Sequence, residues 1–396
     1  DDRNVVINFT EQPLYIYKIN SKVNVNDKTV AFSLSFTTAE LVRNNNIRVV
    51  QSFSGEPSAE IIKNILRDTE LLNSKKEFYY EETSNKFKLV APNMRPFQFI
   101  NALARRCTSL EYDYAPTFLF YETVKGYFFR TLDSMMDRKN PRLVYRELTA
   151  NEEEIRSRPD LLLQNILDYD VVSTTNTLVS RRSGMYASKL YLLDIFNKDY
   201  KEYDYDYLED FDRDIHVDEF NRYGSEPGPA VSELIDDYNK KITEYPDATV
   251  YLQTIDRDIP DGLFNPAYTE TYDYMGTDKW LQRRKSRFAS LNSAVSLRLS
   301  VSGNTTLQAG DLIGVVIKDK LNDEDDQTLT GKYLVSKLHH SFKRGDGLYK
   351  HEILMDCVRD TVQTKYPSKG VIHTDGGSSI DELIPRGNED PGEVIF

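Results

Sequence analysis

The residues with the most chemistry to offer lie between Lys198 and Glu219, where ten acids accompany three bases, with tyrosines interleaved. Glu209, Asp210, Asp212, Asp214, Asp218 and Glu219 are close enough in sequence to hold a calcium ion, or to supply the two carboxylates of a glycoside hydrolase. In that second case Asp212 and Asp214 would be the acid pair. A calcium loop needs a glycine at its sharp turn, and this run contains none. The stretch is therefore read as a solvated acidic insertion.

Other groups offer less. Lys279, Arg283, Arg284, Lys285 and Arg287 lie on a helix expected over 278–291, with Trp280, Leu281 and Phe288 as its buried anchors. This could be a nucleic-acid patch. The chain carries 50 basic and 63 acidic residues, a net charge of −13, so the preferred reading pairs this helix with the acidic insertion of the same chain. Among the five histidines, a hairpin turn over Lys343–Gly347 would set His339 opposite His351. Two imidazoles could bind zinc, but no third ligand is evident, and His340 would point to the other face. Cross-strand packing is preferred, and no metal, cofactor or catalytic residue is assigned. Arg344-Gly345-Asp346 reads as a turn. No phosphate-binding glycine loop, nucleophile elbow or zinc-protease motif occurs.

The elements that position these groups are mostly strands. From Ala294 to Ser302, Val295, Leu297, Leu299 and Val301 alternate with Ser296, Arg298, Ser300 and Ser302, the pattern of a half-buried antiparallel strand. Ile313, Val315 and Ile317 repeat the period, a third strand runs from Gly331 to Phe342, and a fourth carries Ile353, Met355 and Cys357 on one face. Four such strands suit a barrel, which removes exposed sheet edges. Leu14–Ile19 and Thr29–Thr37 read as a hairpin across Asn20–Lys28. Residues 56 to about 135 read as an α+β unit: a helix over Ala59–Leu72 capped by Ser58, a helix over Pro96–Thr108, and a hairpin around Lys125-Gly126. Two strand-like runs, Leu162–Ser180 and Met185–Phe196, flank an expected turn at Arg181–Gly184. Cys107 and Cys357 are expected to be buried free thiols.

At 396 residues the chain is long enough for two to four domains. It lacks an apolar run near the roughly 20 residues that span a bilayer, and no secretory signal opens it. Asp1-Asp2-Arg3 leads at once into Val5, Val6 and Ile7, so the chain is expected to start inside a larger protein or after processing.

Three stretches resemble the baseplate hub proteins of contractile-tailed bacteriophages, relatives of type VI secretion spike hubs. The first is Leu41–Asp68, with Ser52-Phe53-Ser54-Gly55 ahead of the helix holding Ile61 and Leu66. The second runs from Pro92-Asn93-Met94-Arg95-Pro96-Phe97 through Asn101–Arg106 to Phe118–Glu122 and Gly126–Leu132. The third contains Leu307–Asp311, Gly331–Val335, His340 with Phe342, and the last strand. The resemblance implies a mainly β fold with α+β parts: two tail-tube-like barrels carrying peripheral α+β domains. Residues 1–55 would belong to the first barrel, 56–161 to a peripheral α+β domain, and 162–208 with 290–365 to the second barrel. Residues 209–289 would be an acidic insertion ending in the basic helix, and 366–396 an extended tail.

The implied function is structural and non-enzymatic. A homotrimer would present a pseudo-hexameric ring that joins the hexameric tail tube to the trimeric central spike. DNA would pass its lumen without specific binding or any membrane anchor, in a virion assembled in the bacterial host cytoplasm. In the tail, Leu383, Ile384, Val394, Ile395 and Phe396 are expected to anchor a partner such as the spike. A hub of a type VI-like or extracellular injection system is the alternative within this class. A peptidoglycan hydrolase using acids of 199–219, or a tyrosine-rich carbohydrate-binding module, is the alternative outside it.

Overall fold

The computed structural model describes residues 13–26, 29–84, 86–138, 140–148, 160–173, 177–195, 198–218, 240–254, 276–293, 295–319, 324–326, 328–345 and 348–361. The fold is mainly β. The chain opens with β1 (Tyr15–Asn26) and β2 (Thr29–Thr37), an antiparallel pair bulged at three points. The strands run through most of the expected Asn20–Lys28 turn, pairing as far as Asn26 with Thr29. Then come α1 (Ala39–Asn46), β3 (Ser52–Pro57), α2 (Ser58–Arg67), β4 (Phe78–Tyr80), β5 (Lys86–Val90) and α3 (Pro96–Ala104). Ser58 is the first helical residue, because extended Pro57 occupies the cap position.

Next are β6 (Leu119–Thr123), β7 (Gly126–Arg130) and α4 (Leu132–Met136). At Gly126 φ is +141°, and a Cβ would strike the Glu77 carbonyl, so the β6–β7 turn needs glycine. β3 pairs with β5, while β7 lies between β4 and β6. Ile61, Ile62, Ile65 and Leu66 of α2 pack with Phe99, Ile100 and Leu103 of α3 against Phe118 and Phe129. Phe97 of α3 is partly buried against the same cluster.

Then follow β8 (Leu143–Arg146), α5 (Asp160–Leu163), β9 (Ile166–Ser173), α6 (Thr177–Arg182), β10 (Ala187–Asp194), β11 (Asp199–Asp206) and α7 (Tyr207–Asp210). The expected turn at Arg181–Gly184 is instead the end of α6, closed by Gly184 at φ +75°. β12 (Val250–Thr254) precedes a π-helical turn at Lys279–Arg283, which runs into α8 (Arg284–Ser293). The chain continues through β13 (Ser296–Ser302), β14 (Leu312–Val316), β15 (Gly331–Gly345) and β16 (Leu348–Val358).

The four alternating strands fold as read, within a six-stranded half-barrel ordered β8-β14-β15-β16-β13-β9. Leu297, Leu299, Val301, Ile313, Val315, Ile317, Ile353, Met355 and Cys357 share its core. Of the ranges 162–208 and 290–365, β9 and β13–β16 lie in this sheet. β10 and β11 form a separate three-stranded sheet with β12. β8, from within 56–161, adds a parallel edge to β14 and buries Tyr145. Cys107 and Cys357 are free and buried, and burial pushes the Cys107 thiol up to about 12.

Leu299 is fully buried in the half-barrel core. Leu299→Ala is expected to cost about 2–5 kcal/mol, from lost transfer energy and the cavity left behind. Urea unfolding of the wild type and variant, followed by circular dichroism, checks this.

Candidate functional site

The acidic stretch and the basic helix meet in the interior. β11 takes up the first part of the acidic run as a strand, with Tyr205 inward and Lys189 of β10 facing Glu202, Asp204 and Asp247. After α7 the chain turns under α8. There Asp214 lies 2.8 Å from Arg283 Nη2 and 3.4 Å from Arg287 Nε. Arg287 Nη1 donates to Asp360 at 2.8 Å, and Asp133 lies 3.8 Å from Nη2. Arg287 is 1% exposed, so a full positive charge is surrounded by three carboxylates out of water.

These contacts join distant parts of the chain. Asp133 of α4 accepts from the Ile215 N–H at 2.9 Å and from the Thr117 hydroxyl at 2.9 Å. Asp360, just beyond β16, accepts from the Val217 N–H at 3.2 Å, and His216 lies 2.8 Å from its other oxygen. Thr361 accepts from the Asp218 N–H at 2.7 Å. Burial alone would raise the Asp360 carboxyl, but His216 and Arg287 outweigh it and hold it well below the usual carboxylate range. Asp218 differs: burial, only partly offset by the Lys332 N–H and charge, pushes it up to about 6.

The helix thus faces inward with its charges. Gln282, Arg283, Ser286 and Arg287 are buried, whereas the expected anchors Trp280, Leu281 and Phe288 are only half-buried. Arg284 donates to the carbonyls of Pro116 and Phe118 at 2.7 and 3.1 Å. Lys279 and Lys285 sit over the rings of Tyr114 and Tyr251. The pairing of this helix with the acidic stretch is as expected, and its arginines present no nucleic-acid patch.

The hydrolase pair is not assembled. Asp212 is exposed, while Asp214 is buried between two guanidiniums, so the two cannot work as a matched acid and base. Asp210 pairs with Arg213 at 2.7 Å. Glu219 and the tail residues Leu383, Ile384, Val394, Ile395 and Phe396 lie outside the described residues. Among the described residues, no helix is long and apolar enough to cross a membrane.

The histidine register differs from the expected one. β15 and β16 pair through Gly345 and Leu348, beyond the expected Lys343–Gly347 turn, which shifts the register by three residues. An odd shift exchanges faces. His351 therefore stands opposite Phe342, and His340, not His339, reaches it with Nδ1 3.0 Å from His351 Nε2.

Among the described residues, β1–β2 carries a group of exposed apolar side chains. Val30, Phe32, Leu34 and Phe36 alternate along β2, and Ile16 and Ile19 stand opposite Phe36 and Leu34 on the same face. Ile16, Ile19, Phe32 and Phe36 are 58%, 68%, 62% and 50% exposed. No residue of the hairpin belongs to a described hydrophobic cluster.

No family model matches the chain, and no curated protein matches it. Among solved structures it is similar to the tail protein from Neisseria meningitidis MC58, at 11% identity and a TM-score of 0.46, over 88% of this chain and 82% of that one. It is also similar to the 43 kDa tail protein of prophage MuSo2 from Shewanella oneidensis, at 10% identity and a TM-score of 0.44, over 86% and 77%. The half-lidded Francisella PdpA-VgrG complex follows at 9% identity and a TM-score of 0.34, over 90% of this chain and 46% of that one. At these scores and identities the likeness by itself carries no function across.

Removing Asp360 leaves Arg287 short of its nearest carboxylate, so Asp360→Asn is expected to cost about 3 kcal/mol or more, against under about 0.5 for exposed Asp212→Ala. The depressed Asp360 contributes stability that is complete above its unfolded value near 3.8 and is lost as pH falls below it. Urea midpoints measured from pH 3 to 7 should show the wild type losing its advantage over Asp360→Asn only at the acid end.

Proposed function

We propose that this chain is a structural component of a contractile-tail baseplate, the hub whose trimer joins the tail tube to the central spike. The observation that carries the reading is the amphipathic β1–β2 hairpin. On one face Ile16 and Ile19 of β1 and Val30, Phe32 and Phe36 of β2 are exposed, with Leu34 half-buried among them and Lys22 opposite Phe32. A two-stranded hairpin is marginal alone in water, and a face of several large apolar side chains marks an interface. A hub ring supplies the cover: each copy lays this face against its neighbour. The half-barrel also ends in the open edge of β9, where Leu167, Val171 and Val172 are exposed, and an open edge is suited to a partner.

Two further features support a structural role over a chemical one. The chain's most reactive-looking residues are consumed in ion pairs that join its parts. The net charge of −13 suits a passage through which DNA slides without adhering. The tail residues Leu383, Ile384, Val394, Ile395 and Phe396 are proposed as the spike-facing anchors, and deletion of 366–396 should weaken hub–spike assembly.

Light scattering on the purified chain should give three times its 45.8 kDa mass. A monomer at tens of micromolar would overturn the hub. In the double variant Ile19→Glu, Phe32→Glu the trimer should dissociate while the melting temperature of the α+β core stays within a few degrees of wild type. Retention of the trimer would place the interface elsewhere.

A further inference from the structure

We propose that His340 and His351 form a transition-metal site at the end of the β15–β16 hairpin, with Cu2+, Ni2+ or Zn2+ as its ligand. The proposal stands on the geometry of this hairpin and is independent of the baseplate reading.

The donors are placed first by the register. His340 and His351 are diagonal neighbours on adjacent strands, both on the face that carries Leu338, Ile353 and Met355 further along. Where that apolar core ends, the next side chains on the same face are half-buried His340 and His351 and exposed Phe342. The facing nitrogens of the two histidines, His340 Nδ1 and His351 Nε2, are hydrogen-bonded to each other at 3.0 Å. Two nitrogens bound about 2.0–2.1 Å from one metal, at an angle between 90° and tetrahedral, stand roughly 2.9–3.4 Å apart. The pair already has the spacing of two cis ligands.

The rings are also held in place. The Cγ–Nδ1 edge of His351 lies against Gly303, where a Cβ would collide with both atoms, and this leaves Nε2 facing His340. The Gly303 N–H donates to the His351 carbonyl at 2.9 Å, fixing the backbone beneath the ring. On the other side Phe342 stacks on His351, with centroids 4.1 Å apart and planes 17° from parallel.

Metal entry replaces the hydrogen bond between the rings. The proton shared along Nδ1–Nε2 moves through solvent to the outer nitrogen of its own ring. Each imidazole stays neutral, and no net proton is released. Imidazole donors suit copper, nickel and zinc over calcium or magnesium, which prefer oxygen. Among the described residues no third side chain completes a cluster, so the remaining positions are filled by water or by an acceptor from a neighbouring chain.

The test titrates the full chain with Cu2+ alone and reads nitrogen hyperfine coupling by electron paramagnetic resonance. The wild type should bind one copper with two coupled imidazole nitrogens. His340→Gln and His351→Gln should each weaken binding roughly tenfold or more, and His339→Gln, on the opposite face, should not. Gly303→Ala should weaken it without removing a ligand, by pushing the His351 ring aside. Equal binding by His340→Gln and wild type, or equal loss in His339→Gln, overturns the site. Should a variant fail to fold, Cu2+ added to wild type with 15N-labelled histidine decides. Broadening of His340 and His351 ahead of the other histidines supports the site, and uniform broadening refutes it.

Discussion

Arg287 is the point on which the described parts of the chain converge. A guanidinium removed from water costs several kcal/mol, even after relaxation, unless it is paired and its donors are satisfied. Here Asp133 comes from α4, Asp214 from the acidic stretch, and Asp360 from the end of β16. None of these elements could be displaced without leaving the charge partly unmatched. The nearby apolar cluster of Leu132, Met135, Met136, Val217, Leu291, Leu312 and Leu334 draws on α4, the acidic stretch and α8, and adds β14 and β15. Apolar packing there supplies attraction without direction, and the ion cluster fixes which residues face each other. The acidic stretch is thereby the strap that binds helix to sheet.

This explains what could be read from the sequence and what could not. The alternation of β13 to β16 is a local property, since each side chain's face follows from its position along its own strand. It identified the buried faces correctly. Register depends on where the hairpin turns, and Asp346-Gly347 lies inside a longer polar run that could turn in several places. A shift of three residues was enough to exchange His339 for His340. Over 278–291 periodicity alone points Trp280, Leu281 and Phe288 inward, because a buried arginine is rare without partners. Its partners are 73 residues away at Asp360 and 69 away, from Arg283, at Asp214, so no window of sequence holds both. β8 was missed for a different reason: four residues are too few to show a period, although Tyr145 is fully buried.

Charge placement follows the same logic. The acids of 199–218 outnumber the bases beside them, yet the two with the deepest burial, Asp214 and Asp218, lie under α8 and β15. The basic residues that answer them are also interior or spread over aromatic rings. Pairing therefore withdraws Arg283 and Arg287 from the surface together with Asp133, Asp214 and Asp360, so acids and bases leave the exposed face side by side.

The two hairpins carry the remaining distinction. β2 alternates as strictly as β13, with Val30, Phe32, Leu34 and Phe36 in place of Val295, Leu297, Leu299 and Val301. In β13 the apolar side chains are covered by β14, β15 and the rest of the half-barrel. In β2 Val30, Phe32 and Phe36 are exposed and Leu34 is half-buried. Alternation reports that a face is suited to burial, and it is silent on whether the cover belongs to the same chain. Burying a side chain such as Phe32 is worth about 1.5–3 kcal/mol, so covering the exposed members of this face would add stabilisation that the described residues do not supply.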